Sequence, residues 1–187
     1  PRRERGRRTD AALRVLPGLV AGLPTRLDGG ADAPLIRLAP AATVPPILVG
    51  GMSEPAMARA AEHGDGWFVL PVSPAAMAQG ESRLAELAAA RGRATPSVTA
   101  SMVAALTGDP ALPDHEGLVR ALTDPDGMFG MPADAVPGTL TLGGPAEVAA
   151  RIAEYGEAGA ERVVVTLAAG DWMRQAELLA EAGALLG

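Results

Sequence analysis

Pro45-Pro46-Ile47-Leu48-Val49-Gly50-Gly51-Met52-Ser53 is the stretch on which the fold turns. Ile47-Leu48-Val49 is a continuous apolar run closed by two glycines, the pattern of a strand covered on both faces, as in parallel sheets. Ser53 is a helix-capping residue type, and Ala56, Met57, Ala60 and Ala61 then recur at helical spacing until His63-Gly64 supplies a stop. Strand, glycine turn and helix in immediate succession make a βα unit.

Downstream the unit repeats. Trp67-Phe68-Val69-Leu70 reads as a second strand, and Ser73-Pro74 opens a helix that runs to about Arg91 with Leu84, Leu87 and Ala88 facing inward. Ser97 to Thr107, mixed β-branched and apolar, reads as a third strand, and Val163-Val164-Val165 as a fourth. Pro145 to Ala158 and Asp171 to Leu186 read as helices. Between them, 108–138 is expected to be an irregular insertion with one short helix near Glu116 to Leu122, because Pro and Gly break every periodicity there. Upstream, Leu13, Leu16, Leu19 and Val20 predict an amphipathic helix that starts at a Thr9 or Asp10 cap and stops at Gly22, with a long connection from there to Pro46. Strands alternating with helices imply an α/β fold with a parallel sheet and right-handed crossovers.

Composition narrows the chemistry. The 187 residues are 48% hydrophobic and 20% charged, the balance of a globular domain, and the expectation is a single domain over 1–187 or most of one. There is no Cys and no Lys, which excludes disulfides, thiolate zinc sites, a thiol nucleophile, a Schiff base and a lysine phosphate loop. With two His, no metal site is expected. The net charge of -6 hides a cluster of five arginines in the first eight positions, which reads as a solvated loop or helix lead-in, with a nucleic-acid arm as the alternative. The rest is acidic, which argues against nucleic acid and anionic membranes as partners. No apolar run approaches the ~20 residues of a membrane span and no secretory signal order opens the chain, so the default location is cytoplasmic. Pro1 begins in the middle of a charged stretch, so a piece of a longer protein is expected.

Gly50-Gly51-Met52-Ser53 lies where a strand ends and a helix begins. In parallel α/β proteins ligands bind there, free N–H groups favour an anion, and Gly lets backbone approach a phosphate. The same residues also suit a tight turn with no ligand. Both readings stand on the residues alone.

Three segments, in order, carry a resemblance. Pro45 to Ser53 followed by Ala56, Arg59-Ala60-Ala61 and Gly64-Asp65-Gly66-Trp67 resembles the central signature of the luciferase-like flavin-dependent monooxygenases and their deazaflavin-dependent relatives. Gly6-Arg7-Arg8-Thr9-Asp10 with its Leu-rich helix resembles the helix preceding that strand. Gly144-Pro145-Ala146-Glu147-Val148, Ile152, Tyr155, Ala158-Gly159-Ala160 and Arg162 to Val165 resemble the family's last helix–strand pair. The resemblance implies a TIM barrel holding FMN or the deazaflavin coenzyme F-420 at the C-terminal ends of its strands. On that mapping the four strands are the fifth to eighth, and the chain is the C-terminal half, four βα units, of a (β/α)8 barrel. Such a barrel takes ~250 residues, so the partner expected first is the missing N-terminal half, with a homodimer as the other way to cover the sheet.

The function implied is a flavin- or deazaflavin-dependent oxidoreductase acting on a small-molecule substrate, with Gly50, Gly51, Met52 and Ser53 binding the cofactor and the catalytic residues elsewhere. A non-catalytic flavin-binding or interaction module is the alternative function, and an open doubly wound sheet the alternative fold. His63 reads as a helix-end residue, Asp65 as a turn residue, Trp67 as packing at a strand start, His115 as a solvated loop residue and Asp171 as a helix cap. Met128-Phe129-Gly130-Met131 reads equally as a lid over an apolar substrate or as a packing patch.

Overall fold

The computed structural model describes residues 2–27 and 33–187. Its elements are α1 (Arg2–Val20), the two-residue strands β1 (Thr25–Arg26) and β2 (Leu35–Ile36), β3 (Leu48–Gly50), α2 (Glu54–His63), β4 (Gly66–Val69), α3 (Pro74–Ala89), β5 (Ser97–Leu106), α4 (His115–Thr123), a 3-10 turn (Ala133–Ala135), α5 (Val136–Thr139), β6 (Leu140–Gly143), α6 (Pro145–Glu157), β7 (Arg162–Leu167) and α7 (Trp172–Ala184).

All four expected strands are present, as β3, β4, β5 and β7, and they pair in parallel in chain order. A fifth parallel strand, β6, pairs with the end of β5 on the side that β4 occupies, opposite β7, so the five-stranded sheet departs from chain order at β6. The side chains of β5 divide by parity. Val98, Ala100, Met102, Ala104 and Leu106 join the main core with Trp67 and Val69 of β4, Met57 of α2, Met77 and Leu84 of α3, Val148 of α6 and Leu178 of α7. Val103 points the other way, into a small second core with Leu122 and Val136. One face of the sheet therefore lies under a layer of helices. The opposite face, here the inner face, carries Leu48, Phe68, Thr99, Ser101 and Val164 and is covered by that second core at the end of β5. The described strands form an open sheet.

Three expectations need correcting. First, α1 starts at Arg2 and not at Thr9: Arg is a good helix former, Glu4 and Arg8 pair one turn apart at 2.6 Å, and the helix propagates back through the arginines. Asp10 caps nothing and instead binds Arg59 of α2 at 2.5 Å. Second, the connection after Gly22 contains the β1–β2 pair, antiparallel with Thr25 opposite Ile36. Third, the short helix expected near Glu116 to Leu122 is present as α4, and the expectation missed the fifth parallel strand that follows 108–138. Leu118 and Leu122 anchor α4 in the interior, Asp114 caps it by accepting the Gly117 N–H at 2.8 Å, and β6, just past this stretch, pairs with the upper half of β5. A four-residue strand next to Gly143-Gly144 has too little alternation to stand out, and its pairing with β5 makes it a strand.

Candidate cofactor site

Gly50 ends β3, and the chain turns into α2 through Gly51, whose φ of +116° is open to glycine and strained for other residues. A Cβ built on Gly51 would stand 3.0 Å from the Ala56 Cβ. Two hydrogen bonds pin the turn: the Gly51 N–H donates to the Phe68 carbonyl at 3.3 Å, and the Trp67 indole N–H donates to the Gly51 carbonyl at 2.8 Å. Ser53 holds the N-cap position in extended geometry, yet its hydroxyl accepts no helix N–H. Pro55 has no N–H to offer, and that of Ala56 goes to the Ser53 carbonyl at 2.8 Å. Among the described residues, the N–H groups of Met52, Ser53 and Glu54 have no acceptor. The turn thus presents free donors and an uncommitted hydroxyl at the start of a ten-residue helix.

Beside it lies a cleft of about 1070 Å³ that Ser53 and Pro55 line from α2 and Arg5, Arg7 and Thr9 from α1. The arginine cluster read as a solvated lead-in therefore stands over the helix start. The signal that could have found it was already in the resemblance, which places Gly6 to Asp10 on the helix next to this strand. Glu54 is held below the ordinary carboxylate range by the Arg83 guanidinium of α3, so it is ionised and committed to that pair.

The other singled-out residues lie apart. Asp65 is at the opposite, N-terminal end of the strands: its carboxylate accepts the Ile47 N–H at 2.8 Å and its carbonyl accepts the Ser97 N–H at 3.1 Å, so it ties β3 to β5. His63 is at that same end, 3.4 Å from Glu62. Trp67 is fully buried under the helix layer. His115 begins α4 at the rim of an apolar pocket of about 290 Å³, with Val136, Leu140 and Leu142 in its wall. Phe129 and Met131 pack, partly buried, on the second core, while Met128 is 73% exposed. Asp171 caps α7 through the Arg174 N–H at 2.9 Å, as expected. Among the described residues no His, Cys, Asp and Glu side chains gather as a metal site would require.

One polar cluster escaped the sequence reading. Gln175 of α7, fully buried, accepts the Leu106 N–H and donates to the Leu106 carbonyl, each at 2.9 Å, and donates to Asp109 at 3.0 Å. Asp109 also accepts the N–H groups of Ala111 and Asp171, each at 2.8 Å. Burial opposes its charge, but the Ala111, Gln175 and Asp171 donors together with Arg174 outweigh that and hold its carboxyl below the ordinary 3.8. The cluster locks together the loops that leave β5 and β7, at the same end of the sheet as Gly50. A Gly-Asp pair after each strand, Gly108-Asp109 and Gly170-Asp171, was its only trace in the sequence.

The family model for luciferase-like monooxygenases matches residues 1–123. The chain belongs to the luciferase-like monooxygenase family. Its fold agrees with solved members of similar architecture. An F-420-dependent secondary alcohol dehydrogenase in complex with an F-420–acetone adduct superposes with a TM-score of 0.71 at 16% identity, over 96% of this chain and 61% of that one. The EDTA monooxygenase from Chelativorans sp. BNC1 gives 0.70 at 17%, over 98% and 59%. The coenzyme F-420-dependent tetrahydromethanopterin reductase from Methanopyrus kandleri gives 0.56 at 17%, over 84% and 57%. This luciferase-like chain thus spans about three-fifths of the length of the structures it resembles. No curated protein sequence matches it. Among the described residues, no helix is long and apolar enough to cross a membrane.

Proposed function

We propose that the chain is the cofactor-binding half of a flavin- or deazaflavin-dependent oxidoreductase acting on a small organic substrate, its four βα units forming the C-terminal half of a TIM barrel. The observation that carries the reading is the Gly51–Ser53 turn, with free N–H groups and a free hydroxyl, whose Ser53 lines a cleft together with Arg5, Arg7 and the Arg59–Asp10 pair. FMN and coenzyme F-420 both carry a phosphate on a polyol chain, and the turn fits one: glycine at position 51 allows the φ of +116° that leaves the next N–H groups free, and an anion there would meet helix N–H donors and guanidinium groups together. Met52 and Ser53 would hold the phosphate oxygens through their N–H groups and the Ser53 hydroxyl, with Arg5 and Arg7 balancing the charge. Bound, FMN supplies oxygen-dependent oxidation of a substrate and F-420 supplies hydride transfer.

The inner face would do the rest by exclusion. Leu48, Phe68, Val103 and Val164 make it largely apolar, with Thr99, Ser101 and Thr166 as neutral polar groups and Arg162 as a cation at its N-terminal end, so a ring system lying over the apolar part meets a surface that sheds water. Candidate acids and bases are sparse on this face, which favours reaction residues on the complementary wall. The non-catalytic module remains the second reading for the same reason. Titration of the complete protein with FMN and with F-420 tests the first. Saturable binding of either is expected, and Gly51→Val should weaken it at least tenfold by blocking the backbone's approach; unchanged affinity in that variant defeats the assignment of the turn.

A further inference from the structure

We infer that the buried indole of Trp67 is the positioning group of the Gly50–Ser53 turn, acting from beneath the cofactor site without touching the ligand. The inference rests on the cofactor reading above and adds to it the residue that fixes the turn's orientation. Three observations carry it. Trp67 is fully buried in the helix-side layer, so a flavin on the inner face cannot reach its ring. Its one polar atom, the indole N–H, is spent on the Gly51 carbonyl at 2.8 Å. The ring lies against Gly80 of α3, where a Cβ would come within 3.2 Å of Cζ3, so the helix keeps a clear space for the indole.

The consequence follows from the peptide geometry. At φ +116° Gly51 has no side chain to steady it, and the turn could place either the carbonyl or the following N–H toward the cleft. A carbonyl oxygen facing a phosphate is repulsive, whereas an N–H is attractive. The Trp67 donor engages the carbonyl from the buried side, and the Gly51 N–H is engaged by Phe68, so the next donors in the chain, Met52 and Ser53, are the ones left free. One residue of β4 thus sets the polarity of a turn belonging to β3 and α2. An aromatic in this place packs as well without the N–H; of the Trp67 side chain, the N–H is the part that orients the turn, alongside the Gly51 N–H bond to Phe68.

The test removes the N–H and keeps the ring. Trp67→Phe is the first variant. The second carries the sulfur isostere benzothienylalanine at position 67, incorporated biosynthetically in a Trp172→Phe background, so that shape and burial are preserved even where phenylalanine leaves a cavity. Two measurements are made on the complete protein: hydrogen exchange of the Gly51 amide without cofactor, and titration with FMN and F-420. Loss of one buried donor predicts Gly51 exchange about tenfold faster and a Kd about tenfold higher, with exchange along Ser97–Leu106 unchanged. Unchanged Gly51 exchange in the isostere overturns the inference, as does a Kd equal to that of the Trp172→Phe parent. If the parent itself binds neither cofactor, the cofactor reading fails, and the exchange measurement still decides whether Trp67 orients the turn.

Discussion

Gln175 shows what a single buried amide does in a sheet this short of polar side chains. Its side chain copies a strand, giving and taking one hydrogen bond with Leu106, and it passes a further bond to Asp109. Gln175→Leu keeps the volume but strands the Leu106 N–H and carbonyl in the interior, at a cost of on the order of 2–4 kcal/mol. Chemical denaturation should show that loss as a lower midpoint with an unchanged slope. Asp109 adds a pH dependence whose sign is fixed. Its folded pKa lies below the ordinary 3.8, so its stabilising effect is present above that value and is lost as pH falls through the depressed one. Asp109→Asn should therefore lower Tm at neutral pH, and the gap from wild type should close in acid. A gap that stays constant down to acid unfolding would show that the charge of Asp109 contributes nothing.

At the scale of elements, what the sequence made legible follows the physics of each signal. β3, β4, β5 and β7 stood out as continuous apolar runs, and α3, α6 and α7 because their faces repeat at helical spacing. The cover on both faces expected of the first strand fails, since β3 and β7 are covered on one face and leave Leu48 and Val164 exposed on the other. The start of α1 was hidden: charged residues carry no apolar stripe, and its first turns form through propensity and a Glu4–Arg8 pair. β6 was hidden because its pairing with β5 is a tertiary choice. At the candidate site, Gly50-Gly51-Met52-Ser53 was legible from the residue types, but Arg5, Arg7 and Trp67 join it only through the packing of α1 and β4, which local spacing does not encode. The stretch 108–138 is the place where this matters for dynamics. It holds α4 by two buried leucines, while its Met128 stands in solvent. Its amides outside α4 should exchange faster than those of Val163 to Leu167, which are held in the sheet by β5. Equal protection in the two segments would mean that the second core orders the whole stretch.

For the whole molecule, the decisive feature is a sheet with one finished face and one that is buried along β5 but left partly exposed at β3, β4 and β7. β3 pairs on one side with β4 and β7 on one side with β5, so among the described residues each presents a free edge. The inner face leaves Leu48 and Val164 each 37% exposed, and Phe68 half-buried. Free edges and an apolar face are the two features that drive strands to pair with other chains. A barrel removes both at once, because the complementary wall pairs each edge and fills the inner layer with its own side chains. The 187 residues by themselves are therefore expected to dimerise through the open sheet or to aggregate, and to show no turnover with FMN or F-420, since the reacting surface has one wall. Supplying four further βα units, fused ahead of α1 or added as a separate chain, should give a monodisperse species in light scattering together with saturable cofactor binding. A well-behaved monomer of these residues alone that oxidises or reduces a substrate with added cofactor would show that the open face is a complete active surface, and would overturn the half-barrel reading along with the division of labour drawn from it.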